Sequence, residues 1–209
     1  MAAENEGLHL SGTGEVSVVP DLARVTLEVT RSGADAVTLK AAVDEATGAV
    51  LKLTRRFDIE ARDVVAATVN IAPDYRGRGG GGGNELIGVT VSRSIHITVR
   101  ALERLPQLIN DSLKLGINGV SGIALDTSRR TELEEQALAL AIDDARAEAR
   151  RVAAGFGVAV GTVLAVHVDS HTLRPQMARM ALDTAEAAFA PGEMIVRRSI
   201  RAQFAIAEE

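Results

Sequence analysis

In Ile87-Gly88-Val89-Thr90-Val91-Ser92-Arg93-Ser94-Ile95-His96-Ile97-Thr98-Val99 every odd position except Arg93 is a large aliphatic residue, and every even position is Gly, Ser, Thr or His. Period two with one apolar face marks a half-buried strand. Ala23, Val25, Leu27 and Val29 alternate with Arg24, Thr26, Glu28 and Thr30 in the same way, and Val65, Ala67, Val69 and Ile71 do so against Thr68 and Asn70. Towards the C-terminus Met194, Val196, Ile200, Ala202, Phe204 and Ile206 face inward, with Arg197, Ser199, Arg201 and Gln203 facing out. Shorter strands are expected over 8–19, 119–127 and 162–170. Alternation on one side only is the pattern of antiparallel sheet covered on a single face by helices.

Two long amphipathic helices supply that cover. The first is expected to start at Asp35, a good N-cap residue, and carries Leu39, Val43, Ala46, Val50, Leu53 and Phe57. The second is expected to start at Thr131, with Glu134 completing a capping box, and to end at Gly155 and Gly157. Its expected stripe is Leu138, Ile142, Ala145, Ala149, Val152 and Phe156. Both stripes step by four and three, which keeps their members on one helix face. They are too short for a coiled coil and suit packing on a sheet. A third, shorter helix is expected from Leu102 to Leu115, stopped by Gly116. The fold class is therefore α+β: antiparallel sheet or sheets with two long helices and one shorter helix on one face.

Two segments interrupt this order. Residues 77–84 hold a five-glycine run at positions 79–83 and read as a flexible hairpin tip. Residues 172–193 are rich in Ala and Met, with a loose helix expected around Met177–Ala188. Each is flanked by strands expected to share a sheet, so residues 1–209 read as a single domain.

Composition narrows the chemistry. The 209 residues are 46% hydrophobic but 2% aromatic, carry a net charge of -5 and contain no cysteine. Without cysteine there is no disulfide framework, thiol nucleophile or thiolate metal site. The acidic balance and the lack of stacking aromatics argue against nucleic acid as a partner. The longest uncharged run, Val152 to Val166, is broken by three glycines and falls short of the roughly 20 residues a membrane span needs. No leader is expected from the acidic opening Met1-Ala2-Ala3-Glu4, so the chain is either cytosolic or a mature exported form with a new starting Met.

The candidate sites are sparse. The glycine run leads into a strand and lacks Gly-Lys-Ser/Thr, so it forms no phosphate cradle. Gly12-Thr13-Gly14 is followed by further strand, and its glycines mark a bulge or a close backbone approach. His167-Val168-Asp169-Ser170-His171 places three potential metal ligands on one strand face. Its ends, about 13 Å apart when extended, share an ion only if the chain bends or a second subunit contributes. The rival reading is a solvated strand end. Ser92, Ser94 and His96 share a face without a nucleophile elbow, so they read as a cross-strand polar ladder. No catalytic or cofactor-binding set is identified.

The chain resembles the SIMPL domain family, the YggE-like and periplasmic immunogenic proteins, along nearly its whole length. The resemblance rests on Gly12-Thr13-Gly14-Glu15 with Pro20-Asp21, and on Phe57-Asp58-Ile59, Asp63-Val64, Thr68 and Pro73-Asp74-Tyr75. Gly116-Ile117-Asn118-Gly119-Val120-Ser121-Gly122-Ile123 is similar to the family's glycine-rich approach to a central strand. Ala141-Ile142-Asp143-Asp144-Ala145-Arg146 with Ala149, Ala153 and Gly157 resembles its Ala-rich helix, and Pro191-Gly192 its C-terminal end. The order and spacing of these pieces carry the match. It implies an exported bacterial α+β protein that assembles into ring-like homo-oligomers and is linked to envelope integrity and oxidative-stress tolerance. It implies no catalytic residues. The expected function is a non-enzymatic, self-assembling envelope protein, periplasmic if a leader has been removed. The alternatives are a cytosolic adaptor that binds a protein partner by strand addition, and a metal-dependent enzyme using His167, Asp169 and His171.

Overall fold

The structure, a computed structural model, describes residues 7–78, 82–169 and 192–207. Along the chain run β1 (Leu8–Val18), β2 (Leu22–Gly33), α1 (Ala36–Arg56), β3 (Val64–Ala66), β4 (Asn70–Arg78), β5 (Gly82–Val99), α2 (Leu105–Lys114), β6 (Gly119–Asp126), α3 (Arg130–Gly155), β7 (Ala159–Val168) and β8 (Met194–Ala207). Short 3-10 turns precede β3 and α2. The fold class is α+β, with every strand pairing antiparallel. The described residues form two compact units, one of β2 to β6 with α1 and α2, the other of β1, α3, β7 and β8.

The first unit is a sheet in the order β3-β5-β2-β6, with β4 also paired to β5. Its inner face sets Val25, Leu27 and Val29 of β2 beside Val91, Ile95 and Ile97 of β5, all essentially fully buried. Val43, Val50 and Leu53 of α1 and Leu105 and Leu108 of α2 close over them. Each such side chain contributes about 1.5–3 kcal/mol through burial. Asp35 caps α1 as its sequence position suggests, its Oδ1 accepting from the Val37 N–H at 3.1 Å. At the other end Phe57 is the C-cap and Asp58 takes a positive φ of 57°. Arg104 donates to the Phe57 carbonyl at 3.2 Å and stacks 4.7 Å from that ring's centroid. A cation at a helix C-terminus offsets the dipole, so Phe57-Asp58-Ile59 is a helix-ending device.

The strand expected through Val65, Ala67, Val69 and Ile71 is broken. From Ala66 to Asn70 the chain takes one residue more than β5 takes between Ile95 and Ser92, the signature of a bulge. Ala67 sits in the break, its N–H donating to the Ser94 carbonyl at 2.8 Å. The extra residue flips the alternation, so Val65 pairs with His96 on the outer face and is exposed, while Val64 and Val69 join the core. Likewise β6, resembling a central strand in sequence, is the sheet's edge among the described residues.

In the second unit β8 lies between β1 and β7, and α3 covers one face. The helix begins at Arg130, so Thr131 is already helical and cannot act as N-cap. The N-cap residue Arg129 makes no side-chain cap bond, its guanidinium pairing instead with Glu132 of the first turn, and the expected Thr131–Glu134 capping box does not form. The residues that face the sheet are Leu133, Ala137, Ala141, Ala145, Ala149 and Ala153. The expected stripe is thus displaced: Ala145 and Ala149 belong to the contact, Leu138, Ile142 and Val152 lie on its half-buried flank, and Phe156 is 79% exposed. Small residues line the contact from Ala137 to Ala145, where α3 backbone rests directly on Gly12 and Gly14 of β1.

Candidate functional site

The helix-free face of the β1-β8-β7 sheet carries the residues that sequence reading singles out. Antiparallel register sets three rows across it: His9–Gln203–Ala165, Ser11–Arg201–His167 and Thr13–Ser199 with Asp169. His167 and Asp169 do share this face. The His167 Nε2 stands 3.7 Å from Asp169 Oδ1, and Arg201 Nη2 reaches the same oxygen at 2.7 Å. Asp169 is therefore held by a guanidinium from the neighbouring strand, and a cation would have to displace Arg201 to use it. His171 lies outside the described residues, as does the helix expected around Met177–Ala188.

His9 and His167 border the same shallow depression, with Ser11, Arg201 and Gln203 between them. Their strands are separated by β8, about 10 Å from axis to axis. Among the described residues no three His, Asp or Glu side chains gather to hold a metal. One strand pair further along, Arg197 pairs with Glu15. The face is a set of polar groups tied strand to strand.

The outer face of the larger sheet repeats the theme. Ser121, Thr26, His96 and Val65 form one row across β6, β2, β5 and β3. His96 Nδ1 and Thr26 Oγ1 are 3.0 Å apart, Ser121 donates to Glu28 at 3.3 Å, and Thr90 donates to Asp74 at 2.6 Å. Ser92, Ser94 and His96 line β5 as a ladder, and no carboxylate is aligned behind the histidine by the contacts His96 makes. Each cross-strand pair adds a few tenths to about 1 kcal/mol to sheet stability.

Two devices escape sequence reading. Arg93 stands on the apolar face of β5 because Asp44 of α1 meets it at 3.2 Å and the Ala67 carbonyl accepts from its Nε at 2.7 Å. Lys40 bonds the other oxygen of Asp44 at 2.6 Å, and these cations hold that carboxyl below its usual range. Asn118 acts as a strand residue through its side chain: Oδ1 accepts from the Thr30 N–H at 2.9 Å and Nδ2 donates to the Thr30 carbonyl at 3.0 Å. The glycine-rich segment around Gly116 therefore serves to seat Asn118 beside β2.

Residues 8–204 match the SIMPL family, described as a protein of unknown function (DUF541). The "Uncharacterized protein YggE" of Edwardsiella ictaluri is 31% identical over 82% of this chain and 72% of its own length. YggE of Escherichia coli (strain K12) is 30% identical over 86% of this chain and 74% of its own. The "26 kDa periplasmic immunogenic protein" of Brucella melitensis biotype 1 is 27% identical over 85% of this chain and 71% of its own. No helix among the described residues is long and apolar enough to cross a membrane.

Proposed function

This chain belongs to the SIMPL family, and on that premise we propose that it is a non-enzymatic, self-assembling component of the bacterial cell envelope, working in the periplasm. One observation carries the non-enzymatic reading. Among the described residues the charged and histidine side chains of the open sheet faces pair across strands, as in Arg201–Asp169, Arg197–Glu15 and His96–Thr26, and no three His, Asp or Glu side chains gather at one point. Acyl-transfer chemistry of the serine-hydrolase kind would need a nucleophile, a base and an oxyanion donor within a few ångströms of one reacting atom. The motifs that carry the family likeness serve the fold: Gly12 and Gly14 seat α3, Phe57-Asp58 ends α1, and Asn118 prolongs the pairing of β6 with β2. Periplasmic placement is supported by the name of the Brucella relatives. The link to oxidative-stress tolerance follows the family resemblance alone.

Placement is tested by expressing the native gene and treating intact and osmotically opened cells with protease. Digestion on opening the outer membrane, with a cytosolic marker protected, is the expected result. Protection until the inner membrane is lysed would overturn it and favour a cytosolic adaptor.

A further inference from the structure

We infer that β7 is an open pairing edge, and that its occupant is the β7 of a second copy of this chain, joined antiparallel about Val166. The inference rests on the self-assembly proposed above and assigns it a surface.

The backbone sets the geometry. The Asp169 N–H donates to the Ser199 carbonyl at 3.1 Å, and the register continues with Val168 opposite Ile200, His167 opposite Arg201 and Val166 opposite Ala202. In an antiparallel ladder successive residues turn their N–H and C=O groups to opposite sides. Asp169 and His167 face β8, so Val166 and Val168 turn theirs away from the sheet. Among the described residues β7 has a neighbour on one side only. Its register irregularities lie between Val160 and Ala165, so the three residues centred on Val166, Ala165 to His167, are regular and carry the contact.

The opposite edge of this sheet is treated differently. Asp144 of α3 reaches over β1 and accepts from the Thr13 N–H at 3.0 Å, closing an outward amide. Soluble proteins protect free edges with charge, proline or such covers. Ala159–Val168 contains no Lys, Arg, Asp, Glu or Pro. Val163, Leu164, Val166 and Val168 are 48%, 54%, 55% and 43% exposed. Val166 and Val168 pair with Ala202 and Ile200, so they lie on the face that α3 covers elsewhere, beyond the reach of that helix.

A second copy fits this edge because the edge is complementary to itself. No charged residue occurs from Val152 to Val166, so antiparallel self-pairing opposes no like charges there. With Val166 opposite its own symmetry mate, His167 falls beside Ala165 of the partner, which keeps the two histidines apart. A two-fold axis through Val166, normal to the sheet, places both α3 helices on one side and merges the two uncovered valine strips. The result is an isologous contact in a continuous six-stranded sheet.

The chain contains no cysteine, so a single introduced thiol reports the contact cleanly. Residues facing each other in a hydrogen-bonded antiparallel pair have Cα atoms about 5.5 Å apart, within disulfide range. Oxidised Val166→Cys protein should run as a covalent dimer, while Thr13→Cys on the other edge should stay monomeric in a denaturing gel. Val166→Lys should weaken self-association in sedimentation velocity by about tenfold or more. If wild-type protein associates but Val166→Cys does not cross-link and Val166→Lys associates normally, the β7 assignment is overturned and self-assembly stands on another surface. If wild-type protein is monomeric throughout, both fall. The valine-to-cysteine change is small, so this arm holds even if the lysine variant folds poorly.

Discussion

Gly14 of β1 lies against the backbone of Ala137 in α3: a Cβ built on the glycine would stand 2.0 Å from the Ala137 carbonyl oxygen, and one on Gly12 equally close to the Ala141 carbonyl. Real Cβ atoms do not approach backbone that closely. The helix can sit so low because its contact residues are alanines at intervals of four, a row inclined about 26° to the helix axis. Gly14→Ala must push α3 off the sheet. We expect a loss of about 3 kcal/mol or more in urea unfolding, carried by the unit built on α3.

Gly48 is the contrasting case. It sits inside α1, and an added Cβ meets nothing within 4 Å. Gly48→Ala should therefore raise stability by about 0.5–1 kcal/mol, through helix propensity alone, read as a higher urea midpoint.

Asp44 gives a pH signature. Hydrogen bonding to Lys40, with the charges of Lys40 and Arg93, lowers its carboxyl pKa in the folded state. A lowered folded value contributes stability that is present above the unfolded value and lost as pH falls through the folded one. Asp44→Asn should thus melt below wild type near neutral pH. The two melting curves should converge as pH falls from about 5 to about 2. A constant gap across that range would show that the pairing carries no linkage.

Asn118 should be replaceable by neither Ala nor Asp. Alanine loses two hydrogen bonds to Thr30 and should cost about 1–2 kcal/mol. Aspartate keeps the acceptor for the Thr30 N–H but faces the Thr30 carbonyl with a second acceptor. Hydrogen exchange at the Thr30 amide should quicken in both variants.

Asp144 makes the exposed β1 edge testable in the same way. Asp144→Ala removes the acceptor of the Thr13 N–H, so that amide should exchange at close to the rate of an unprotected strand edge, while the Leu10 and Gly12 region keeps its pairing to β8.

Alternation made most strands legible, because β2, β5 and β8 each bury one face and leave the other wet. It failed at Ala67, where a single extra residue inverts the pattern and only the β5 partner reveals the slip. The phase of α3 was hidden for a different reason. Hydropathy gives weight to Leu138, Ile142, Val152 and Phe156, yet the contact is decided by volume, and the alanine row could be chosen only by reading it against Gly12 and Gly14. The face shared by His167 and Asp169 follows from strand geometry. Arg201, which occupies Asp169, is 32 residues away in sequence and enters only through the β7–β8 register. Asn118 and Arg93 likewise owe their roles to distant partners, Thr30 at 88 residues and Asp44 at 49 residues along the chain.

The central claim is that this chain works as an assembly. Light scattering of the purified native protein over a wide dilution series tests it most directly. The mass should be a multiple of the 22.0 kDa protomer, falling towards one protomer only at high dilution. A constant mass of 22.0 kDa at every concentration, in a protein shown to be folded, would contradict it.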